Sequence, residues 1–241
     1  MRLLALFLLA ALPAQAHAAC ADRSFEDHSY TVCQVAASDD LRIFQTAPDG
    51  DAFGTFDRVN DALATDAKTL GFAMNAGMYQ PDRRPVGLMI EDGIQRARII
   101  TSDGPGNFGL LPNGVFCIGR RYSVIESRAF AKSPPACRYA TQSGPMLVID
   151  GALHPRFVAG SPSRYIRNGV GVSADGSRAF FVISNAPVNF ADFARFFRDG
   201  LATPNALYFD GNISRLYAPD LNRRDIGFPM GPIVGTVVPA G

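Results

Sequence analysis

Tryptophan is absent from this 241-residue chain, histidine occurs three times and cysteine four times. Without tryptophan, a flat platform for a sugar ring falls to tyrosine. No C-x-x-C pair occurs, and beyond residue 19 only His28 and His154 remain, so the thiolate and imidazole sets of a zinc site are lacking. An excess of one charge is lacking too: Lys and Arg number 23, Asp and Glu 22. Such a balance gives no electrostatic footprint for nucleic acid or an anionic membrane. Beyond the start, no apolar run approaches the ~20 residues of a membrane helix.

The start itself reads as a leader. Arg2 supplies a charge, residues 3–12 an apolar stretch, and Ala14-Gln15-Ala16-His17-Ala18 two overlapping A-x-A cleavage options. We therefore expect a signal peptide over residues 1–19, one domain over 20–241, and a periplasmic or secreted protein with no integral membrane segment. Cys20 raises a lipoprotein alternative, but His17-Ala18-Ala19 before it lacks the usual leucine. Removing the leader leaves the chain formally neutral. An exported chain with Cys20, Cys33, Cys117 and Cys137 favours two disulfides; three pairings are open. Proximity favours Cys20–Cys33 and Cys117–Cys137, each contributing roughly 3 kcal/mol.

The apolar pattern predicts an α+β domain with mixed sheets and about two main helices. Residues 29–35 and 40–44 read as an antiparallel pair, 56–68 as a helix and 70–74 as a strand ending in Asn75-Ala76-Gly77-Met78-Tyr79. A meander of five short strands follows over 85–125, with Glu91-Asp92-Gly93 as a solvated hairpin tip. Residues 139–149 form a strand-like run broken at Gln142-Ser143-Gly144-Pro145. Residues 178–184, 189–199 and 205–209 read as strand, helix and strand. Asn189 caps this helix and Gly200 ends it. That order predicts a parallel, right-handed βαβ crossover, with Ser184-Asn185 and Asp210-Gly211 at one edge. Asp220–Asp225 reads as a charged loop and 229–238 as a last strand.

Five segments carry a resemblance: Asn75-Ala76-Gly77-Met78-Tyr79, Pro112-Asn113-Gly114-Val115-Phe116, Gln142-Ser143-Gly144-Pro145-Met146-Leu147, Arg167-Asn168-Gly169-Val170-Gly171 and Asn205 through Gly211. In order and content they resemble the phosphodiester glycosidase family, over nearly all of the mature chain. The resemblance implies a hydrolase that cuts a sugar-1-phosphodiester between the anomeric carbon and oxygen, on a cell-envelope or extracellular glycan. It departs at Asn212, where relatives carry a further glycine, which points away from N-acetylglucosamine as the sugar.

The residue set suits that chemistry. Ordinary glycosidases use two carboxylates; these motifs hold one, Asp210, and a phosphodiester leaving group is a weak base that needs little protonation. Asp210 serves as nucleophile, base or electrostatic stabiliser. Arg167 is the expected partner of the phosphate, through its planar fork of donors. Asn75, Gln142, Ser143, Asn168, Asn185 and Asn212 offer uncharged donors and acceptors for sugar hydroxyls. Gly77, Gly144 and Gly211 would let backbone approach the substrate, and Tyr79 or Tyr165 would face the ring. No cofactor or metal is implied. Two alternatives stand beside this reading: a serine hydrolase built on Ser143 with His28 or His154, and a non-catalytic periplasmic module that binds glycan or an envelope protein.

Overall fold

The computed structural model describes residues 19–210 and 213–241. All but the last residue of the expected leader, and both Gly211 and Asn212, lie outside the described residues.

The chain opens with β1 (Ala19–Phe25), β2 (His28–Ala36) and β3 (Leu41–Phe44), then helix α1 (Phe56–Ala64) and β4 (Lys68–Asn75). Next come β5 (Met89–Glu91), β6 (Ile94–Ala97), β7 (Gly114–Ile118), β8 (Tyr122–Glu126) and α2 (Ser127–Lys132). Then follow β9 (Tyr139–Ser143), β10 (Met146–Ile149), β11 (Ala152–Leu153), β12 (Asn168–Val172) and β13 (Arg178–Ser184). Helix α3 (Phe190–Arg195) runs on as a π turn, Phe196–Gly200. The last strands are β14 (Asn205–Asp210), β15 (Leu216–Ala218), β16 (Arg223–Arg224) and β17 (Ile233–Pro239).

Among the described residues the strands form three sheets, ordered β1-β2-β13-β12-β14-β10-β11, β16-β15-β4-β17-β3 and β6-β5-β9-β7-β8. Every paired strand is antiparallel to its neighbour. This overturns the α+β fold with a parallel crossover unit: the protein is mostly β. Strand β12 lies between β13 and β14 and pairs antiparallel with both. The strand–helix–strand pattern is present, yet its two strands never bond to each other. Residues 29–35 and 40–44 do not pair either, since β2 joins β1 and β13 while β3 joins β17.

The three sheets turn one face each inward. Phe72 of β4, Phe116 of β7, Phe181 of β13 and Phe209 of β14 meet in a single buried core. Phe72 and Phe181 lie 5.1 Å apart by ring centroids, Phe116 and Phe181 5.6 Å. Each outer face carries one helix. On α1, Phe56, Val59 and Leu63 share one stripe against Leu70, Ile233 and Val237, at about 1.5–3 kcal/mol for each large side chain buried. Phe130 of α2 covers β7 and β9, and α3 with its π turn covers β14, where Ala206 and Tyr208 alternate with the inward Leu207 and Phe209.

Two local signals hold as read. Asn189 accepts a hydrogen bond from Asp192 N at 2.9 Å, capping α3. Asp92-Gly93 is a turn with positive φ at both residues, which matches the twist of the flanking strands. Glu91 is no solvated tip: its Oε1 accepts from the backbone N–H of Gln45 at 2.8 Å and of Thr46 at 3.2 Å. Disulfides join Cys20 to Cys33 and Cys117 to Cys137. A Cys20 sulfur bonded to Cys33 is closed to lipidation. Among the described residues no helix is long and apolar enough to cross a membrane.

Candidate active site

Antiparallel pairing brings Asn168, at the start of β12, opposite both Ile183 and Asp210. On the neighbouring sheet β4 ends at Asn75. The two asparagines, both fully buried, meet there. Asn75 Nδ2 donates to Asn168 Oδ1 at 3.2 Å, and Asn168 Nδ2 donates to Asn75 O at 2.9 Å. Their remaining capacity goes to backbone: Asp210 N donates to Asn168 Oδ1 at 3.2 Å, and Arg215 N to Asn75 Oδ1 at 2.9 Å. Ser214 Oγ adds a further tie, 3.0 Å from the carbonyl oxygens of Ile166 and Asp210; its single proton serves one of them at a time.

Asp210 is thus half-buried at the carboxyl end of β14, held by its own backbone. Its charge acts on two phenols, Tyr79 and Tyr208. Burial pushes the Tyr79 hydroxyl above the usual tyrosine range and Asp210 pushes it further, while Arg83 and Arg215 oppose them. The phenol therefore keeps its proton. Its oxygen is buried and has no hydrogen-bond partner among the described residues.

Arg215 stands beside that phenol. It is 8 % exposed, and no acceptor among the described residues bonds its guanidinium, which feels Tyr79 and Asp225 only through their charge. Burial pulls its pKa down from the arginine value. Gly227 rests directly on it: at φ +147° a side chain is strained, and a Cβ there would overlap Arg215 Nη2. Arg83 sits in the turn between Tyr79 and Pro85 with φ 71°, and its Nε is buried without a partner. A left-handed arginine with an unsatisfied buried donor marks a place where strain is kept.

Arg167 lies behind Tyr208. It is 1 % exposed, with Nε donating to Val188 O at 2.9 Å, Nη2 to Ser163 O at 3.0 Å and Nη1 to Tyr208 Oη at 3.3 Å. Its Cζ is 3.7 Å from the centre of the Phe190 ring and 5.4 Å from those of Tyr165 and Tyr208. No carboxylate among the described residues pairs with it. Burial lowers its pKa, and the two tyrosines offset part of that. Tyr165 is 53 % exposed and offers its ring to solvent beside this cage.

The other expected residues go elsewhere. Gln142 spends all its amide capacity inside the fold, with Oε1 accepting from Leu88 N and Ile100 N and Nε2 donating to Ile100 O and Ser127 Oγ. Ser143 is fully buried and donates to Phe209 O at 2.9 Å. Neither histidine bonds it: His28 Nε2 pairs with Asp192 at 3.2 Å, and His154 stacks on Phe157. The serine-hydrolase alternative lacks its base. Gly77, two residues past β4, lets the chain pass against Thr141 and Gln142, and a Cβ on Gly144 would meet Asn113 Cβ at 2.6 Å. Asn185 is exposed and ties Ser29, Thr31 and Arg223 together, one strand beyond β12. Sequence reasoning missed Arg83, Tyr208 and Arg215. Arg215 does fall in the stretch that Asp210 opens, five residues on.

A sequence profile described as phosphodiester glycosidase matches residues 68–227. The chain belongs to the phosphodiester glycosidase family. The chain is similar to the uncharacterized protein YigE of Escherichia coli K12, 35 % identical over 203 residues, which cover 83 % of this chain and 77 % of that one. In fold, the chain is similar to the catalytic domain of zebrafish N-acetylglucosamine-1-phosphodiester alpha-N-acetylglucosaminidase auto-inhibited by its pro-peptide. That match has a TM-score of 0.60 at 12 % identity and spans 91 % of this chain and 82 % of the other. Family membership supports a glycosidase-type hydrolase, and the site contains a carboxylate, phenols and arginines to match.

Proposed function

We propose that this protein is an exported hydrolase that cleaves a sugar-1-phosphodiester of a cell-envelope or extracellular glycan at the C1–O bond. Water adds to the anomeric carbon, the C1–O bond breaks, and free sugar and a phosphomonoester leave. The observation that carries this reading is a pair of buried donors without partners among the described residues, the Tyr79 hydroxyl within the field of Asp210 and Arg83 Nε, beside Arg215, a residue 8 % exposed whose guanidinium no described acceptor bonds. A buried donor set without acceptors is costly to keep, and a phosphodiester supplies the missing oxygens and charge.

In this reading Arg215 and Arg83 bind the phosphate, and Tyr79, held protonated, donates to one of its oxygens. Asp210 faces the anomeric carbon, where positive charge develops as the bond breaks. Arg167 takes a different place from the one its fork of donors implied. It stands behind Tyr208, keeps that phenol oriented and adds positive potential to the phosphate side. Asn75 and Asn168 position the two ends of the loop, and Tyr165 offers the sugar a face. One carboxylate is enough because the leaving phosphate needs no strong acid.

The test is a panel of sugar-1-phosphodiesters with wild-type protein and Arg215→Met. Release of free sugar by the wild type, with kcat/KM about 10–100-fold lower in the variant, is the expected result. Equal activity in both proteins would remove Arg215 from the phosphate site.

A further inference from the structure

The loop that carries Gly227 holds two of the most exposed apolar side chains of the described residues, Ile226 at 88 % and Phe228 at 78 %. Single exposed apolar residues are ordinary; these two flank Gly227, which lies on the Arg215 guanidinium. The loop is tied at both ends. Leu216 N donates to Asp225 Oδ2 at 2.9 Å, Asp225 N donates to Leu216 O at 3.0 Å, and Met230 N donates to Gly54 O at 2.8 Å. Ile226 and Phe228 are therefore presented to solvent by a fastened turn, on either side of the glycine that lies against the proposed phosphate-binding cation.

Resting on the function proposed above, we infer that the substrate is lipid-linked: the group esterified to the sugar phosphate is a hydrocarbon chain, alkyl or polyisoprenyl. With the phosphate on Arg215, the first carbons of that chain leave over Gly227, where no side chain stands in the way. The next carbons run between Ile226 and Phe228. The cation holds the phosphate and the two apolar side chains cover the chain, so both parts of one amphipathic ester meet their complement. A polar or charged aglycone would find no donor or acceptor among these side chains.

Calorimetric titration of the whole protein with methyl phosphate and hexyl phosphate tests this without a choice of sugar. We expect hexyl phosphate to bind about tenfold tighter or better. Ile226→Ser with Phe228→Ser should abolish that preference and leave methyl phosphate affinity unchanged, whereas Arg215→Met should weaken both ligands. Equal binding of the two phosphates, or a preference that survives the double substitution, overturns the inference. So does loss of self-association or of vesicle binding in the double variant without a chain-length effect. Turnover of sugar-1-phosphodiesters is read separately. Turnover without chain-length preference defeats this inference alone; chain-length-dependent binding without turnover defeats the hydrolase reading alone.

Discussion

Asn75 and Asn168 bond amide to amide across two sheets, and each spends its remaining oxygen capacity on the backbone of a residue in the proposed site. Asp210 and Arg215 are thereby fixed at their backbone N–H groups by two buried side chains. Asn75→Ala leaves Arg215 N and one Asn168 oxygen site without partners in the buried core. It should destabilise the fold by about 2 kcal/mol and lower kcat more than it raises KM, because the loop ends lose their register. Urea denaturation and steady-state kinetics check both; unchanged stability would contradict the buried pair.

Gln142 tests the opposite role. Four hydrogen bonds lock its amide against the 88–100 segment and Ser127. Gln142→Leu should cost about 3 kcal/mol or more of stability and leave kcat per folded molecule within about twofold. A selective rise in KM with stability intact would return it to the substrate.

Arg83 holds a φ of 71°, which glycine adopts freely. Arg83→Gly should keep or raise stability, by up to about 1 kcal/mol, while KM for a phosphodiester rises about tenfold. Thermal unfolding and kinetics on one preparation read the two together. A variant that is less stable and fully active would contradict the phosphate role.

Alkaline stability follows from the core. Burial raises the pKa of Tyr30, Tyr122 and Tyr208 well above the unfolded value of 10.0. Above pH 10 the unfolded chain therefore binds fewer protons than the native one, and stability must fall as pH rises. The slope is about 1.4 kcal/mol per pH unit for each tyrosine. Denaturation midpoints at pH 9, 10 and 11 check the sign; a flat profile would contradict the burial of these hydroxyls.

How much of this was legible in the sequence differs by kind of interaction. Apolar runs and turn formers located β4, β7, β8, β13, β14 and β17, and Asn189 announced its cap, because alternation and capping act within a few residues. Partners were not legible. A strand–helix–strand pattern reads the same whether the two strands bond directly or flank a third, and only the three-dimensional arrangement put β12 between β13 and β14. The break at Gln142-Ser143-Gly144-Pro145 marked a real event, since the chain leaves one sheet for another there, yet its polar side chains turned inward. Arg215 carries no pattern that sets it apart from the other arginines of the chain. Gly227 folds over its guanidinium, and Asn75, on the neighbouring strand of the same sheet, holds its backbone N–H; neither is near it in the pattern. Arg167 was chosen for its fork of donors, and the structure gives three of them to Val188, Ser163 and Tyr208.

The most direct test is Asp210→Asn, a change that keeps size and backbone contacts but removes the charge facing the anomeric carbon. Turnover of a sugar-1-phosphodiester and calorimetric affinity for the same compound are measured side by side. Our account predicts that kcat falls by about a thousandfold or more while Kd stays within a fewfold. Undiminished turnover in the variant, or binding by wild-type protein with no sugar released, would contradict it.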